Sequence, residues 1–186
     1  PAIHITGASG SGTTTLGRAL SGRLGAAHLD TDDFYWEPVE PLFSRKRPVE
    51  ARLSLLESAF DAASGDGWIL SGSIGEWGNP LIPRFALVIF LSAPTDLRME
   101  RLNHRETALF GRAALAPGGS RHEDYMAFID WAAAYETSTA NGRNRARHEA
   151  WLAALPCPVL RLESTEPVDD LVDRILARID RRADPG

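Results

Sequence analysis

Gly7-Ala8-Ser9-Gly10-Ser11-Gly12-Thr13-Thr14-Thr15 offers main-chain amides more than side chains as its reactive groups. The GxxxxG spacing lets the backbone curl tightly and turn successive N–H groups inward. A helix starting just after the second glycine adds the positive end of its dipole. Together these features suit a polyphosphate. In the full form of such a loop a lysine follows the second glycine; this chain has Thr13 there. Thr14 is placed to offer its hydroxyl to Mg2+, and Thr15 to reach an α-phosphate. A merely flexible turn is the bland alternative. The apolar run Ala2–Thr6 before the loop and the leucines Leu16, Leu20 and Leu24 after it favour strand–loop–helix instead.

A second cluster follows the next apolar run. Asp30, Asp32 and Asp33 alternate into Phe34, Tyr35 and Trp36. A carboxylate at the carboxyl end of a parallel strand can accept a hydroxyl proton or hold water on Mg2+, and aromatics can stack on a flat acceptor. Asp32 is the candidate base or metal-water ligand, and Asp30, Asp33, Phe34 and Trp36 are candidates to line an acceptor site. A helix cap followed by packing aromatics would use the same letters. Arg45-Lys46-Arg47 is a basic knot that reads equally as a clamp, with Arg47 on the acceptor, or as a solvated loop. Ser71-Gly72-Ser73 ends a third run with small residues that allow close approach of an acceptor.

Phosphoryl transfer spreads charge over equatorial oxygens, which arginines stabilise. Nineteen of the 20 basic residues are Arg, and Lys46 is the single Lys. Arg98, Arg101, Arg105 and Arg112 fall on or beyond one helical stretch; Arg143, Arg145 and Arg147 follow Asn141-Gly142. Arg101 and Arg105 share a helix face. Arg105 and Arg143 are the candidates for transition-state charge, although any single helix arginine reads first as a solvated one.

These groups need a scaffold. Apolar runs at 2–6, 27–30, 68–71, 87–91 and 158–162 alternate with helical patterns at 14–24, 49–63, 96–110 and 168–179. That alternation predicts parallel strands buried on both faces. Thr95 reads as a helix N-cap after Pro94. About 65 residues separate the last two runs, far beyond an ordinary crossover. They hold an Ala-Pro-Gly-Gly-Ser break at 116–120 and an aromatic stretch at 123–137. The chain therefore reads as one domain, 1–186, with a core of 1–110 and 148–186 and a mobile lid-like insertion at about 111–147.

The chain has 186 residues and a net charge of −5, with 44% hydrophobic residues. This is ordinary globular composition, and the acidity weighs against a broad nucleic-acid surface. One cysteine, Cys157, excludes an internal disulfide and suggests a reducing compartment. With five residues or so before the loop no signal peptide is expected, and the longest apolar run, Phe85–Leu91, is too short to cross a bilayer. The expectation is a cytoplasmic monomer or homodimer that takes a small-molecule acceptor and neither nucleic acid nor membrane.

With GASGSGTTT at 7–15, DTDDFYW at 30–36, LSGS at 70–73, ERLNHRE at 100–106 and GRNRARHE at 142–149, the sequence resembles the P-loop small-molecule kinases of the nucleoside-monophosphate kinase and shikimate kinase group. It looks more narrowly like bacterial adenylate-kinase-like ATP-binding proteins. Archaeal-type cytidylate kinases resemble it in carrying GSGTTT with Thr at the lysine position. The resemblance implies a three-layer α/β/α P-loop NTPase fold with a five-stranded parallel sheet in the order 2-3-1-4-5 and a lid. It implies ATP on Gly7, Ser9, Gly10, Ser11, Gly12, Thr13, Thr14 and Thr15, with Mg2+ held by Thr14 and Asp32. Arg101 and Arg105 match the arginines beneath the lid of such kinases, and Asp30 and Asp32 match an Asp-x-Asp pair. No Asp-Gly-Phe-Pro-Arg follows the third strand, unlike a standard adenylate kinase. The expected activity is ATP-dependent phosphoryl transfer to a nucleoside monophosphate or hydroxyl metabolite. The alternative is a non-catalytic nucleotide binder whose loop has lost its lysine.

Overall fold

Five short apolar runs form one parallel sheet. A computed structural model describes residues 1–183. The strands are β1 (Ala2–Gly7), β2 (Ala27–Asp30), β3 (Trp68–Ser71), β4 (Leu87–Ser92) and β5 (Val159–Glu163), in the order β2-β3-β1-β4-β5. This is the order expected from the sequence. β1 pairs in register with β3 through Ala2↔Trp68 to Ile5↔Ser71, and with β4 through Ile3↔Leu87 to Gly7↔Leu91. The interior strands are buried on both faces because both faces are covered.

The helices are α1 (Thr13–Leu24), α2 (Thr31–Tyr35), α3 (Val49–Ala62), α4 (Thr95–Phe110), α5 (Arg112–Leu115), α6 (His122–Ala133), α7 (Arg145–Ala153) and α8 (Val168–Ala183). The last three residues of the predicted core, 184–186, lie outside the described residues. No helix among the described residues is long and apolar enough to cross a membrane.

The chain divides into two compact units. The first comprises Pro1–Gly7, Gly12–Leu91 and the chain from Leu155 onward. Here Ile3, Ile5 and Ile89 of the sheet pack with Leu16 and Leu20 of α1 and with Leu171, Val172 and Ile175 of α8. The other face carries an aromatic stack: Phe60 of α3 lies on Trp68 with centroids 3.8 Å apart, and Phe85 lies on His4 at 5.0 Å. Side chains alternate across a strand, so these two groups make the outer layers of a three-layer sandwich.

The second unit comprises Ala8–Ser11 and Ser92–Ala154, with α4 to α7. The predicted insertion at 111–147 lies wholly within it. Leu102, Leu115, Ala132, Tyr135 and Leu152 are buried there, and Tyr135 Oη lies 2.8 Å from His148 Nδ1. The aromatic stretch at 123–137 is helical in α6 as far as Ala133 and then tightens into a 3₁₀ turn at Ala134–Glu136. Pro94, not Thr95, occupies the N-cap of α4; Thr95 is helical and its hydroxyl accepts from Arg98.

Candidate functional site

β1 delivers the chain into the glycine loop at Gly7. Gly10 and Gly12 both have left-handed backbone, φ +82° and +95°. A Cβ at Gly10 would also lie 2.6 Å from the Arg98 carbonyl oxygen, so this position admits only glycine without rearrangement. Gly12 is the N-cap of α1 and brings no capping side chain. The first N–H groups of α1 therefore keep their donors free of any intrahelical acceptor.

Three arginines hold the loop within the second unit. Arg98 donates to Ser9 O at 3.1 Å, and Arg101 to Gly10 O at 3.4 Å and Ser11 O at 3.3 Å. Arg143 donates to Ser9 Oγ at 2.8 Å, with its guanidinium 5.0 Å from the Trp131 ring. In a trans peptide the C=O and the next N–H point opposite ways. With three successive carbonyls taken by α4, the N–H groups of Gly10 and Gly12 turn away from it. The N–H of Ser11 is used internally, on Ala8 O at 3.1 Å. Ser11 Oγ is buried without a hydrogen-bond partner.

Arg105 is placed differently from Arg101, one turn earlier. It pairs with Glu106 at 2.9 Å and lies over Phe128, its own side chain half exposed. Arg145 pairs with Glu149 at 2.9 Å, and Arg147 donates to Asn141 Oδ1 at 3.2 Å. Among the late arginines, Arg143 reaches the loop.

In the first unit, Thr14 Oγ1 donates to Asp30 Oδ2 at 2.8 Å. The other oxygen of Asp30 accepts from the N–H of Asp32 at 3.1 Å and caps α2. The Asp-x-Asp pair thus serves two purposes at once. Asp30 bridges the loop helix to α2, and Asp32 stands exposed on the first turn of α2 beside Asp33. The hydroxyl of Thr14 spends its proton on Asp30, which leaves its lone pairs for a hard cation. Both the threonine and the free amides suit Mg2+ with a polyphosphate. Among the described residues no cluster of three His, Cys, Asp or Glu forms a cage.

The remaining acceptor candidates divide. Ser71 is fully buried, with His28 Nε2 2.9 Å from its hydroxyl; desolvation lowers the pKa of that imidazole. A Cβ at Gly72, φ +106°, would collide with Thr31 Oγ1. Both residues pack β3 against its neighbours, whereas Ser73 is half-buried at the turn that follows. Arg47 donates to Phe34 O and Trp36 O, each at 3.1 Å, and so braces the chain that carries those aromatics. Lys46 pairs through its backbone with Trp36, and its ammonium lies 5.9 Å from the Tyr35 ring.

Sequence reasoning passed over Arg52 and gave Arg98 no role of its own. Arg52 of α3 is buried, its guanidinium 3.9 Å from the Tyr35 ring and 5.2 Å from that of Trp77. Its Nε donates to Arg47 O at 2.7 Å, and its terminal nitrogens hold no hydrogen bond among the described residues. Arg98 is fully buried. Helical spacing signals neither, because an arginine on a helix reads as solvated.

A family profile described as an AAA domain matches residues 3–111. The chain is 48% identical over 174 residues to "Uncharacterized protein YqaC" of Bacillus subtilis (strain 168), covering 94% of each chain. It is 28% identical over 132 residues to a shikimate kinase of Gloeobacter violaceus, covering 64% of this chain and 70% of that one. The crystal structure of shikimate kinase from Aquifex aeolicus matches all of both chains with a TM-score of 0.56 at 16% identity, a likeness of fold. By its AAA-domain match over residues 3–111 the chain belongs to the AAA-domain family, and its sheet order and glycine loop give it the P-loop fold that it shares with shikimate kinase.

Proposed function

We propose that the protein transfers the γ-phosphoryl group of ATP to a hydroxyl or phosphate oxygen of a small metabolite. The observation that carries this is the loop itself: arginines take the carbonyls of Ser9, Gly10 and Ser11, which turns the Gly10 and Gly12 amides toward a ligand. Gly10, Gly12 and the first turn of α1 cradle the phosphates. Thr14, with water oriented by Asp30 and Asp32, would hold Mg2+, which when bound neutralises charge on the phosphates. Asp32 accepts the acceptor's proton, and Arg143, with Arg105, steadies charge on the transferred group.

The acceptor side favours an anionic metabolite. Arg52 is a buried cation packed against two aromatic rings, and its terminal nitrogens hold no hydrogen bond among the described residues. A carboxylate or phosphate on the acceptor would take both of them. Asp33, Phe34, Trp36 and Ser73 would complete the wall, and Arg47 would keep it in place.

The test is ADP release measured against a panel of phosphorylated, carboxylated and neutral acceptors with Mg2+ and ATP. Turnover should appear with an anionic acceptor and collapse in Asp32→Asn. Tight ATP binding without turnover on any acceptor would instead mark a binder, the reading that Thr13 in the lysine position favours.

A further inference from the structure

Arg98 is a buried cation without a buried anion. Its side chain is 0% exposed. Nη1 donates to Ser9 O and to Ala132 O, each at 3.1 Å, and Nη2 to Thr95 Oγ1 at 3.2 Å. Nε is buried with no acceptor. The Tyr135 ring centroid lies 5.3 Å from Cζ. Every partner is neutral, and among the described residues no carboxylate comes within ion-pair distance. Burial lowers its pKa, offset in part by Glu136 from further off; a guanidinium nonetheless stays charged.

A buried charge that lacks a counter-ion is unfavourable unless one arrives. The loop lies directly against this one. The Ser9 carbonyl accepts from the cation, so the N–H on the far side of that peptide, belonging to Gly10, becomes a stronger donor. A lysine in the loop would place its ammonium among the phosphate oxygens. Here the charge sits behind the peptide plane.

We propose that Arg98 supplies, through the Ser9–Gly10 peptide, the positive charge that Thr13 leaves out, and so makes the loop favour a nucleoside polyphosphate over the bare nucleoside. This rests on the proposed placement of nucleotide on the loop. Arg98 is a positioning residue: it acts on the ligand through the main chain and not by contact.

Calorimetry with magnesium-ATP and with adenosine, on the intact protein and its variants, tests the idea. Arg98→Gln keeps a donor and removes the charge. It should weaken magnesium-ATP by about tenfold or more while leaving adenosine within about threefold. Thr13→Lys added to that variant should restore most of the loss, which a purely structural role for Arg98 could not produce. Thr13→Lys alone should change affinity by less than about threefold, since the charge is already supplied. A loss under about threefold in Arg98→Gln, or no recovery on adding Thr13→Lys, overturns the inference alone. If Arg98→Gln does not melt cooperatively, Thr13→Lys alone decides: a gain of about tenfold means no cation was standing in. Failure of the unaltered protein to bind magnesium-ATP overturns the nucleotide reading and this inference together.

Discussion

The glycine loop and the end of β2 solve opposite recognition problems. At the loop, side chains face backwards: Arg98 and Arg101 occupy carbonyls, and the ligand is left with amides. At the end of β2 the side chains face forwards, as carboxylates, rings and the stacked cation of Arg52. Main-chain recognition fixes a generic ligand and depends on backbone shape. Side-chain recognition can be rewritten residue by residue while the strand stays in place. One region should therefore be intolerant of backbone change, and the other should trade acceptor specificity for little stability.

The largest effect should come from Asp32→Asn, which should reduce turnover by about 10³-fold, with ATP affinity nearly unchanged. Calorimetry run beside the coupled assay checks this; a loss of ATP affinity as large as the loss of turnover would erase the division between the two regions.

β1 supports the loop, and its His4 provides a pH handle. Desolvation lowers the His4 pKa from 6.5 to about 4, with its Nδ1 3.1 Å from Leu70 O. The unfolded chain takes up this proton below about pH 6.5, the folded one only below about pH 4. Stability thus falls as pH drops through that window, by about 3 kcal/mol in all. Urea melts at several pH values should show that the stability gap between the native protein and His4→Phe shrinks toward acid. Parallel pH profiles would mean that His4 carries no such penalty.

Arg52→Met should raise the acceptor KM by about tenfold and leave the ATP KM alone. A rise in both, or in neither, would remove Arg52 from the acceptor side. The smallest stability effect belongs to Arg105→Ala. Its half-exposed pair with Glu106 contributes under about 0.5 kcal/mol, so thermal melts should barely move while turnover falls by about tenfold. Equal proportional losses in melting and turnover would make Arg105 a structural residue.

The sheet was legible because parallel strands covered on both faces appear as uninterrupted apolar runs, and β2 and β3 begin and end where those runs do. The loop was legible because glycine spacing reports backbone shape directly. The 3₁₀ segment Glu76–Arg84 was not, since Pro80 and Pro83 break any helical period. The roles of Arg47, Arg52 and Arg98 were not legible either. Each is defined by a carbonyl or a ring distant in sequence, and an arginine letter carries no trace of whether its head is in water. For the same reason Asp30 and Asp32 look interchangeable on paper, although one caps α2 and holds Thr14 while the other stands exposed on its first turn.

The position of Lys46 has a practical consequence. Within these 186 residues it is the sole ε-amine, and it sits against the rings of Tyr35 and Trp36. An amine-directed affinity label would find no target on this loop, where Thr13 stands in the lysine position. A lysine-selective fluorophore, by contrast, would decorate one known side chain beside the aromatic wall, a ready-made optical reporter of whatever metabolite settles there.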